Sequence, residues 1–483
     1  MNEKNISVKK NLVYNVVYQI VTLLMPLITV PYISRVLGAS GIGISSYTNS
    51  LAQYFVILGT IGISLYGNRQ IAYVRDDKKK LSTTFWAITI LKTITTLIAL
   101  VVYIIVFGRE ANYREVFLIQ GINILVATFD ISWLFMGLED FKKTVTRNLI
   151  VRVIGVILIF TLVKNVEDVA LYVFINVGTA LLGNLSMWPY LKNTVTKVKI
   201  SISDITCHIK PALVLFIPQI AIQIYAVLDK SMLGMLSNTT QVGLYQQSQS
   251  IVKLVLGLVT SLGVVMLPRM SNIFANGDND KLKKHLNKSL IGVSYIAIPM
   301  AFGLASISES FVPWFFGRGF GEVKYLLMIS VSIVFFIALS NVLGVQYLLP
   351  TNRNREFTIS VTVGAIVNVI LNFLLIPKYD AFGSCIATVI AEFSVTLVQY
   401  IFIYKEIELR PLIKAIIKYT IAGIIMTVIV IVIGRFMKPK IITTLIQCVV
   451  GVIIYFGALI IIKDETNKIV FKFIKEKIEK SKN

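Results

Sequence analysis

Long stretches without any charged residue constrain this chain more than any other feature of its sequence. Asp, Glu, Lys and Arg are absent from residues 11–34, 36–68, 169–191, 325–352, 357–377 and 441–462. A helix needs about 20 apolar residues to cross a hydrocarbon core that is about 30 Å thick. Membrane-spanning strands would instead alternate apolar and polar residues over about ten positions. The stretches therefore predict an all-α polytopic membrane protein.

Composition agrees with this prediction. Of the 483 residues, 56% are hydrophobic and 15% are charged, and the mean hydropathy is +0.77. Soluble domains carry about 25% charged residues, so a water-soluble fold is excluded. We predict about 14 transmembrane helices, with twelve as the alternative count, near residues 11–34, 42–66, 83–107, 116–137, 147–163, 168–190, 211–234, 246–268, 289–314, 325–349, 357–377, 382–404, 414–434 and 441–462.

Basic residues predict how these helices are oriented. Lys and Arg are frequent in alternate predicted loops, including residues 69–80, 192–210 and 269–288, and are scarcer in the loops between them. Cytoplasmic loops retain Lys and Arg, so both termini are predicted to be cytoplasmic. The same asymmetry accounts for much of the net charge of +22, which we therefore do not interpret as a nucleic-acid-binding surface.

Two segments of the chain resemble each other at an offset of 200 residues, since Gly43–Gln53 (GISSYTNSLAQ) aligns with Gly243–Lys253 (GLYQQSQSIVK). This repeat predicts two parallel halves, related by a pseudo-two-fold axis along the membrane normal, with the substrate between them. We predict a six-helix lobe at 1–195, a second six-helix lobe at 196–410, two extra helices at 411–465 and a basic cytoplasmic tail at 466–483. Pro26 and Pro31 in the first helix, and Pro218 in the seventh, predict that the first helix of each half is bent.

Polar side chains inside two predicted helices form matching stripes. Ser46, Asn49, Ser50 and Gln53 share one face of the second helix, and Gln246, Gln249, Ser250 and Lys253 share one face of the eighth. A polar stripe is unfavourable against lipid tails, so it lines a wet cavity or packs against other helices. Because the two stripes occupy equivalent positions of the repeat, we favour the cavity.

Charged residues inside predicted spans are candidates for function, because a charge at the bilayer centre costs at least about 2.5 kcal/mol on insertion. They are Lys92, Asp130, Arg152, Asp229, Lys230, Lys253, Glu309 and Glu392. Structural alternatives remain open for some of them. Asp130 and Arg152 could form an internal ion pair, and Lys92 and Lys230 could pair or extend their ammonium groups to the membrane surface.

Motifs for catalysis and for metal binding are absent from the sequence. The chain has no GxxxxGK[ST] stretch, and Cys207, Cys385 and Cys448 are too far apart to form a CxxC pair. His208 and His285 both fall in predicted cytoplasmic loops. The predicted loops are too short for an extramembrane catalytic domain. We therefore predict no catalytic residue, no metal ligand and no cofactor.

Five motifs suggest a family. They are Val30–Gly43 (VPYISRVLGASGIG), Tyr66–Ala72 (YGNRQIA), Asp130–Lys142 (DISWLFMGLEDFK), Leu228–Gly234 (LDKSMLG) and Leu267–Ser271 (LPRMS). Together they resemble the Wzx-type polysaccharide flippases of the multidrug/oligosaccharidyl-lipid/polysaccharide superfamily, over most of the chain. One departure is Gln70, where relatives often carry Glu, so a role for an acidic side chain at that position is in doubt here.

The resemblance implies a two-lobed flippase that works by alternating access in the bacterial cytoplasmic membrane. Its cargo would be an undecaprenyl-diphosphate-linked oligosaccharide for capsule, exopolysaccharide or O-antigen synthesis, and polysaccharide polymerase machinery is a candidate partner. Arg35, Arg152 and Lys253 would hold the diphosphate, whereas Asn49, Gln53, Gln246 and Gln249 would bind sugar hydroxyls. Asp130, Asp229 and Glu392 would bind a coupling H⁺ or Na⁺.

Two alternatives remain. A multidrug exporter of the same superfamily would be expected to bind a hydrophobic cation with acidic residues, so a net negative cavity would favour it. A membrane enzyme such as a polysaccharide polymerase or acyltransferase would carry clustered catalytic residues at one face and a larger outer loop, and the sequence shows neither.

Overall fold

The computed structural model describes the backbone of residues 2–110 and 112–469. Side chains are described for the same residues except 2–24, 141–142, 217–219, 221–222, 261–262 and 264–265. Within these ranges every regular element is helical, and ten helical segments are long and apolar enough to cross a membrane. The side chain of Pro218 and most of the predicted tail at 466–483 lie outside the described residues.

Contacts divide the chain into two units, Met1–Gly243 and Leu244–Asn483. The first unit contains α1 (Asn2–Thr60), α2 (Ile63–Val74), α3 (Lys78–Phe107), α4 (Arg114–Gln120), α5 (Ile122–Phe129), α6 (Ser132–Gly137), α7 (Phe141–Leu162), α8 (Val169–Leu185), α9 (Leu191–Thr194), α10 (Ile202–Thr206) and α11 (Ile209–Leu236). Helix α12 (Thr239–Ala275) begins in the first unit and continues into the second. The second unit also contains α13 (Asn279–Phe315), α14 (Val323–Ser330), α15 (Ser332–Ser340), a π-helical segment (Asn341–Leu348), α16 (Asn354–Ile403), α17 (Leu409–Phe436) and α18 (Ile441–Ile461). The lobe boundaries at residues 195 and 410 remain a prediction.

Two predicted loops are single-residue breaks in the structure. Helix α1 covers the first two predicted helices and is interrupted at Gly38 (φ 65°, ψ −179°), with Pro26 and Pro31 inside its first segment. Helix α16 covers the eleventh and twelfth predicted helices and is interrupted at Asp380 (φ 49°, ψ −129°). At about 1.5 Å per residue, each of these helices is long enough for two membrane spans. A count of fourteen spans is therefore compatible with the structure.

The fourth predicted helix is also broken, and the break explains a buried lysine. Helix α5 ends at Phe129 and α6 begins at Ser132, so carbonyl groups at residues 129–131 lack regular helical partners. Lys92 in α3 is 2% exposed, and its ammonium donates a hydrogen bond to the carbonyl of Asp130. The Asp130 carboxylate accepts the backbone N–H of Ser132 at 2.9 Å. Lys92 is therefore hydrogen-bonded inside the first unit and does not extend to the membrane surface, whereas a functional role for it remains a prediction.

The segment between α9 and α11 is fixed against the first unit by polar contacts. The Trp86 indole N–H donates to the carbonyl of Thr196 at 3.1 Å, and the Thr196 N–H donates to Ser82 Oγ at 3.0 Å. The Tyr66 hydroxyl and Nδ1 of His208 are 2.7 Å apart. This segment therefore belongs structurally to the first unit.

In the second unit, α17 and α18 pack against α13 around three buried tyrosines. Tyr295 donates to Asn467 Oδ1 at 2.8 Å, and Tyr455 donates to the carbonyl of Tyr295 at 3.1 Å. Tyr419 donates to Thr466 Oγ1 at 3.0 Å. The two extra helices predicted at 411–465 are thus integral parts of this unit's core.

Candidate functional site

A cavity of about 500 Å³ lies inside the first unit, between α1, α7 and α8. Its lining consists of Met25, Pro26, Thr29, Ile33, Arg147, Asn148, Val151, Arg152, Gly155, Val156, Ile159, Tyr172, Asn176, Thr179, Ala180 and Asn184. Ligand pockets commonly have volumes of about 300–1,000 Å³. We call this space the two-arginine cavity, because Arg147 and Arg152 are the charged groups among its described lining residues.

The two arginines give the cavity a positive electrostatic character. Both lie on α7 and both are half-buried. No carboxylate accompanies them among the described lining residues. Since water is scarce and the dielectric constant is low inside a helix bundle, their charges act more strongly here than on a soluble surface. The arrangement therefore favours an anionic ligand.

Asn184 holds Arg147 in place. The Arg147 guanidinium donates a hydrogen bond to Asn184 Oδ1, and the Asn184 amide donates to the carbonyl of Val126 at 2.6 Å. Asn184 is 6% exposed, so both of its bonds are shielded from water. A fixed guanidinium loses little conformational entropy when it binds a second acceptor. Arg147 is thus preorganised for binding.

Other residues of the lining, on α1 and α8, supply amide and hydroxyl groups. Asn176 donates to the carbonyl of Tyr172 at 2.8 Å, and Thr179 donates to the carbonyl of Ile175 at 2.6 Å. Thr29 on α1 donates to the carbonyl of Met25 at 3.1 Å. These donations leave side-chain oxygens as acceptors for a ligand. Groups of this kind suit the hydroxyls of a sugar.

The face of α7 that lines the cavity carries both arginines and one asparagine. Arg147, Asn148, Val151, Arg152 and Gly155 follow one another at intervals of one, three, one and three positions, which turns them toward the same side. The sequence prediction included Arg152 and missed Arg147, because the fifth helix was predicted to begin at residue 147. In the structure α7 begins at Phe141, so Arg147 is already inside the helix.

Other predicted site residues of the first unit lie on α1, away from this lining. Arg35 is exposed, and its Nη1 donates to the carbonyl of Pro31 at 3.0 Å. Asn49 and Gln53 are half-buried, with Gln53 Nε2 at 3.5 Å from Asn49 Oδ1. Ser50 is buried and donates to the carbonyl of Tyr47 at 2.7 Å. Within the predicted stripe, Ser50 is therefore buried, whereas Asn49 and Gln53 are only partly buried.

The predicted stripe on α12 is divided between the interior and the surface of the second unit. Gln249 is 9% exposed, and its amide donates to Ser330 Oγ at 3.3 Å. Gln246 is half-buried and donates to Ser250 Oγ at 3.0 Å. Lys253 is exposed. Gln249 thus packs inside the unit, whereas Lys253 remains accessible.

The predicted ion-coupling residues occupy three separate environments. The carboxylate of Asp130 caps the turn between α5 and α6. Asp229 is buried in α11 close to Tyr54, and Glu392 is half-buried in α16, where its carbonyl accepts the Thr396 hydroxyl at 2.9 Å. Glu309, which was predicted as a charge within a span but not as an ion-coupling residue, is exposed and pairs with Lys324 at 3.8 Å. The structure does not gather these carboxylates into one cluster within either unit.

Comparison with known proteins gives a family and several relatives. Residues 8–274 match the family model described as "Polysaccharide biosynthesis protein". A relative from Escherichia coli (strain K12), named "Putative O-antigen transporter", is 26% identical over 408 residues, which cover 83% of this chain and 98% of the relative. The lipid II flippase MurJ of Bacillus subtilis (strain 168) is 23% identical over 33% of this chain and 29% of its own length.

Solved structures of transporters share the fold. The lipid II flippase MurJ in an inward closed conformation superposes with a TM-score of 0.76 at 17% identity, over 94% of this chain and 99% of that chain. An inward-facing multidrug resistance MATE family transporter superposes with a TM-score of 0.58 at 14% identity, over 81% and 99% of the respective chains. These likenesses confirm the predicted all-α polytopic transporter fold.

Proposed function

Because this chain belongs to the polysaccharide biosynthesis protein family, we propose that it is a flippase for undecaprenyl-diphosphate-linked oligosaccharides. It would move them by alternating access from the inner to the outer leaflet of the bacterial cytoplasmic membrane, for capsule, exopolysaccharide or O-antigen synthesis. The family match confirms the resemblance found in the sequence. The single structural observation that carries the proposal is the two-arginine cavity, which combines two cations with a wall of amides and hydroxyls.

The diphosphate is the part of this cargo that is hardest to move through a membrane. Its negative charges need cations within a low-dielectric space, and guanidinium groups can bind phosphate oxygens through two parallel hydrogen bonds. In this proposal Arg147 and Arg152 bind the diphosphate. Asn148, Asn176 and Thr179 bind hydroxyls of the first sugars.

The other predicted contacts remain part of the proposal. Arg35 and Lys253, both exposed, would attract the diphosphate, and Asn49, Gln53, Gln246 and Gln249 would bind sugar hydroxyls. Asp130, Asp229 and Glu392 remain the candidates for binding a coupling H⁺ or Na⁺. If neutral replacements of all three left transport and its ion dependence unchanged, coupling through these carboxylates would be excluded.

Topology and partners follow from the same proposal. Both termini face the cytoplasm, where the cargo is assembled, and the cargo leaves on the side where polymerase machinery would use it. The relatives are named as transporters and flippases, and we expect transport of the cargo without its chemical conversion.

A multidrug exporter is the competing function, since a MATE family transporter shares the fold. A hydrophobic cation would be repelled by a cavity whose described lining holds two arginines and no carboxylate. The electrostatics of the first unit therefore favour an anionic cargo.

Transport by the purified protein tests the proposal. A fluorescent undecaprenyl-diphosphate oligosaccharide would be placed in proteoliposomes with an imposed H⁺ or Na⁺ gradient, and its appearance in the opposite leaflet would be measured by quenching. We expect translocation of the oligosaccharide, and none of a lipophilic cationic dye. Transport of the dye alone by well-folded protein would support the exporter instead.

A further inference from the structure

The second segment of α1 is a helix with residues of left-handed backbone conformation at each end. It runs from Ala39 to Thr60 and follows Gly38, whose φ is 65°. It is followed by Ile61 with a φ of 45° and Gly62 with a φ of 66°. Short joints of this kind absorb the dihedral changes when a helix pivots as a rigid body. We call the segment from Ala39 to Thr60 the rod.

The rod packs along α11 with opposite chain direction. Tyr47 lies so close to Gly234 that a Cβ on this glycine would overlap the tyrosine ring. Farther along the rod from Tyr47, the hydroxyls of Tyr54 and Ser231 are 2.6 Å apart. These contacts belong to the first unit and align the rod with α11 over several helical turns.

The tip of the rod makes a reciprocal backbone contact. A Cβ on Gly43 would overlap the carbonyl oxygen of Thr239, and a Cβ on Gly243 would overlap the carbonyl oxygen of Ala39. Each glycine thus contacts the carbonyl group of the residue that lies four positions before the other glycine. Only glycine permits two backbones to come this close.

The contact joins equivalent positions of the internal repeat. Gly43 and Gly243 are the first residues of the two segments that align at an offset of 200 residues. The sequence repeat and the reciprocal contact are independent observations, and they agree on this pair of glycines.

We propose that the Gly43–Gly243 contact is a gate that is closed in this structure and separates during transport, as the rod pivots about Gly38 and Ile61–Gly62. It closes the side that the distribution of basic residues predicts to be outside. Ser46, Asn49 and Gln53 lie on the rod, so opening the gate also moves the polar stripe. The inference rests on the proposed transport function, but its test by labelling requires no substrate.

Alanine at either glycine tests the gate. Gly43→Ala and Gly243→Ala each place a Cβ on an opposing carbonyl oxygen and disfavour the closed state. The matched control is Gly178→Ala in α8, because a Cβ there would meet only Phe174 Cζ at 4.0 Å. Each change is combined with Ser46→Cys as a reporter, in a background where Cys207, Cys385 and Cys448 are replaced by Ala.

Labelling with a membrane-impermeant maleimide is measured from each side of the membrane. We expect Gly43→Ala and Gly243→Ala to raise the rate of labelling from the outside about tenfold, with no rise for the control. Translocation of the lipid-linked oligosaccharide should fall by a similar factor. Unchanged labelling in both glycine variants would overturn the gate, whether or not transport is lost.

A third variant covers the case in which the glycine variants fail to fold. A Cβ on Gly38 would meet no atom within 4 Å, but its φ of 65° is one that alanine rarely adopts. Gly38→Ala therefore strains the joint without adding a steric overlap. It should also raise outside labelling of Ser46→Cys, and normal labelling of a well-folded Gly38→Ala variant would contradict the pivot.

Discussion

The two units enclose cavities of opposite character. In the first unit, the two-arginine cavity is lined by cations, amides and hydroxyls. In the second unit, a cavity of about 400 Å³ lies between α12, α13, α17 and α18, and its lining is mainly apolar, with Pro299, Met300, Leu304, Met426 and Val452 among its residues. The difference lies in the side chains that line the two cavities. The lining of the first cavity would stabilise a charged group, and the lining of the second would stabilise an apolar group.

The largest expected effect comes from placing the same carboxylate in each cavity. Leu304→Asp buries an unpaired charge in an apolar space and should lower the stability of the protein by roughly 3 kcal/mol or more. Val156→Asp places the carboxylate in the lining of the two-arginine cavity, one helical turn from Arg152, where it can pair, and should be nearly neutral for stability. Thermal unfolding followed by size-exclusion chromatography measures both. Equal destabilisation of the two variants would show that the cavities do not differ in the way described.

The next effect concerns transport alone. Arg152→Gln removes one cation from the two-arginine cavity while retaining a hydrogen-bonding side chain of similar length. The rate of oligosaccharide translocation should fall by about 10- to 100-fold, because a charge-assisted bond to the diphosphate is lost. Arg435→Gln, which changes an exposed arginine of the second unit, is the matched control and should leave the rate unchanged. Equal rates for the two variants would remove Arg152 from the cargo site.

A smaller effect is expected for the residue that positions Arg147. Asn184→Ala removes the acceptor of the Arg147 guanidinium and the donor to the carbonyl of Val126. The free energy of unfolding should fall by about 1–2 kcal/mol, because buried groups lose their partners. Asn176→Ala is the control, since Asn176 is exposed and donates to a carbonyl of its own helix. A control that is destabilised as much as Asn184→Ala would indicate a general loss of packing in α8.

The smallest expected effect is a difference between the two units in how their stability depends on pH. Burial lowers the pKa of His208 in the first unit, an effect that the nearby carboxylate of Asp204 partly opposes. The folded state therefore binds fewer protons at His208 than the unfolded chain does. The contribution of neutral His208 to stability is complete above the usual histidine pKa. This contribution is lost as the pH falls.

Hydrogen exchange can measure this difference. Between about pH 7.5 and about pH 5.5, protection of the segment between α9 and α11 should decrease. In the second unit, the corresponding contact of Tyr295 with Asn467 contains no imidazole, so protection of residues 464–469 should not change in parallel. His208→Gln should abolish the pH dependence in the first unit, and persistence of the effect would assign it to another group.

Much of the fold follows from the sequence. Charge-free stretches predicted an all-helical polytopic protein, and the family match and the fold likeness confirm this. The breaks at Gly38 and Asp380 fall inside the predicted loops, but hydropathy could not reduce each loop to a single residue, because a chain can change direction at one residue without any polar loop. The break before Ser132 was missed for a similar reason, since Lys92 satisfies a carbonyl there from a distant part of the sequence.

The candidate site was predictable only in part. Arg152 was identified because a charge within an apolar stretch is rare, whereas Arg147 was missed because it lies close to the start of its helix. Asn176 and Asn184 gave no signal, since an amide within a membrane span is common enough to be structural. The cavity brings together residues 25–33, 147–159 and 172–184, and this proximity depends on helix packing that local patterns do not encode.

Binding of the cargo's headgroup tests the central claim most directly. The affinity of the detergent-solubilised protein for undecaprenyl diphosphate and for undecaprenyl monophosphate would be measured by microscale thermophoresis, in the wild type and in Arg152→Gln. The two-arginine cavity predicts that the wild type binds the diphosphate about tenfold more tightly than the monophosphate and that Arg152→Gln loses most of this preference. Equal affinities in the wild type, or an unchanged preference in Arg152→Gln, would contradict the assignment of this cavity to the diphosphate.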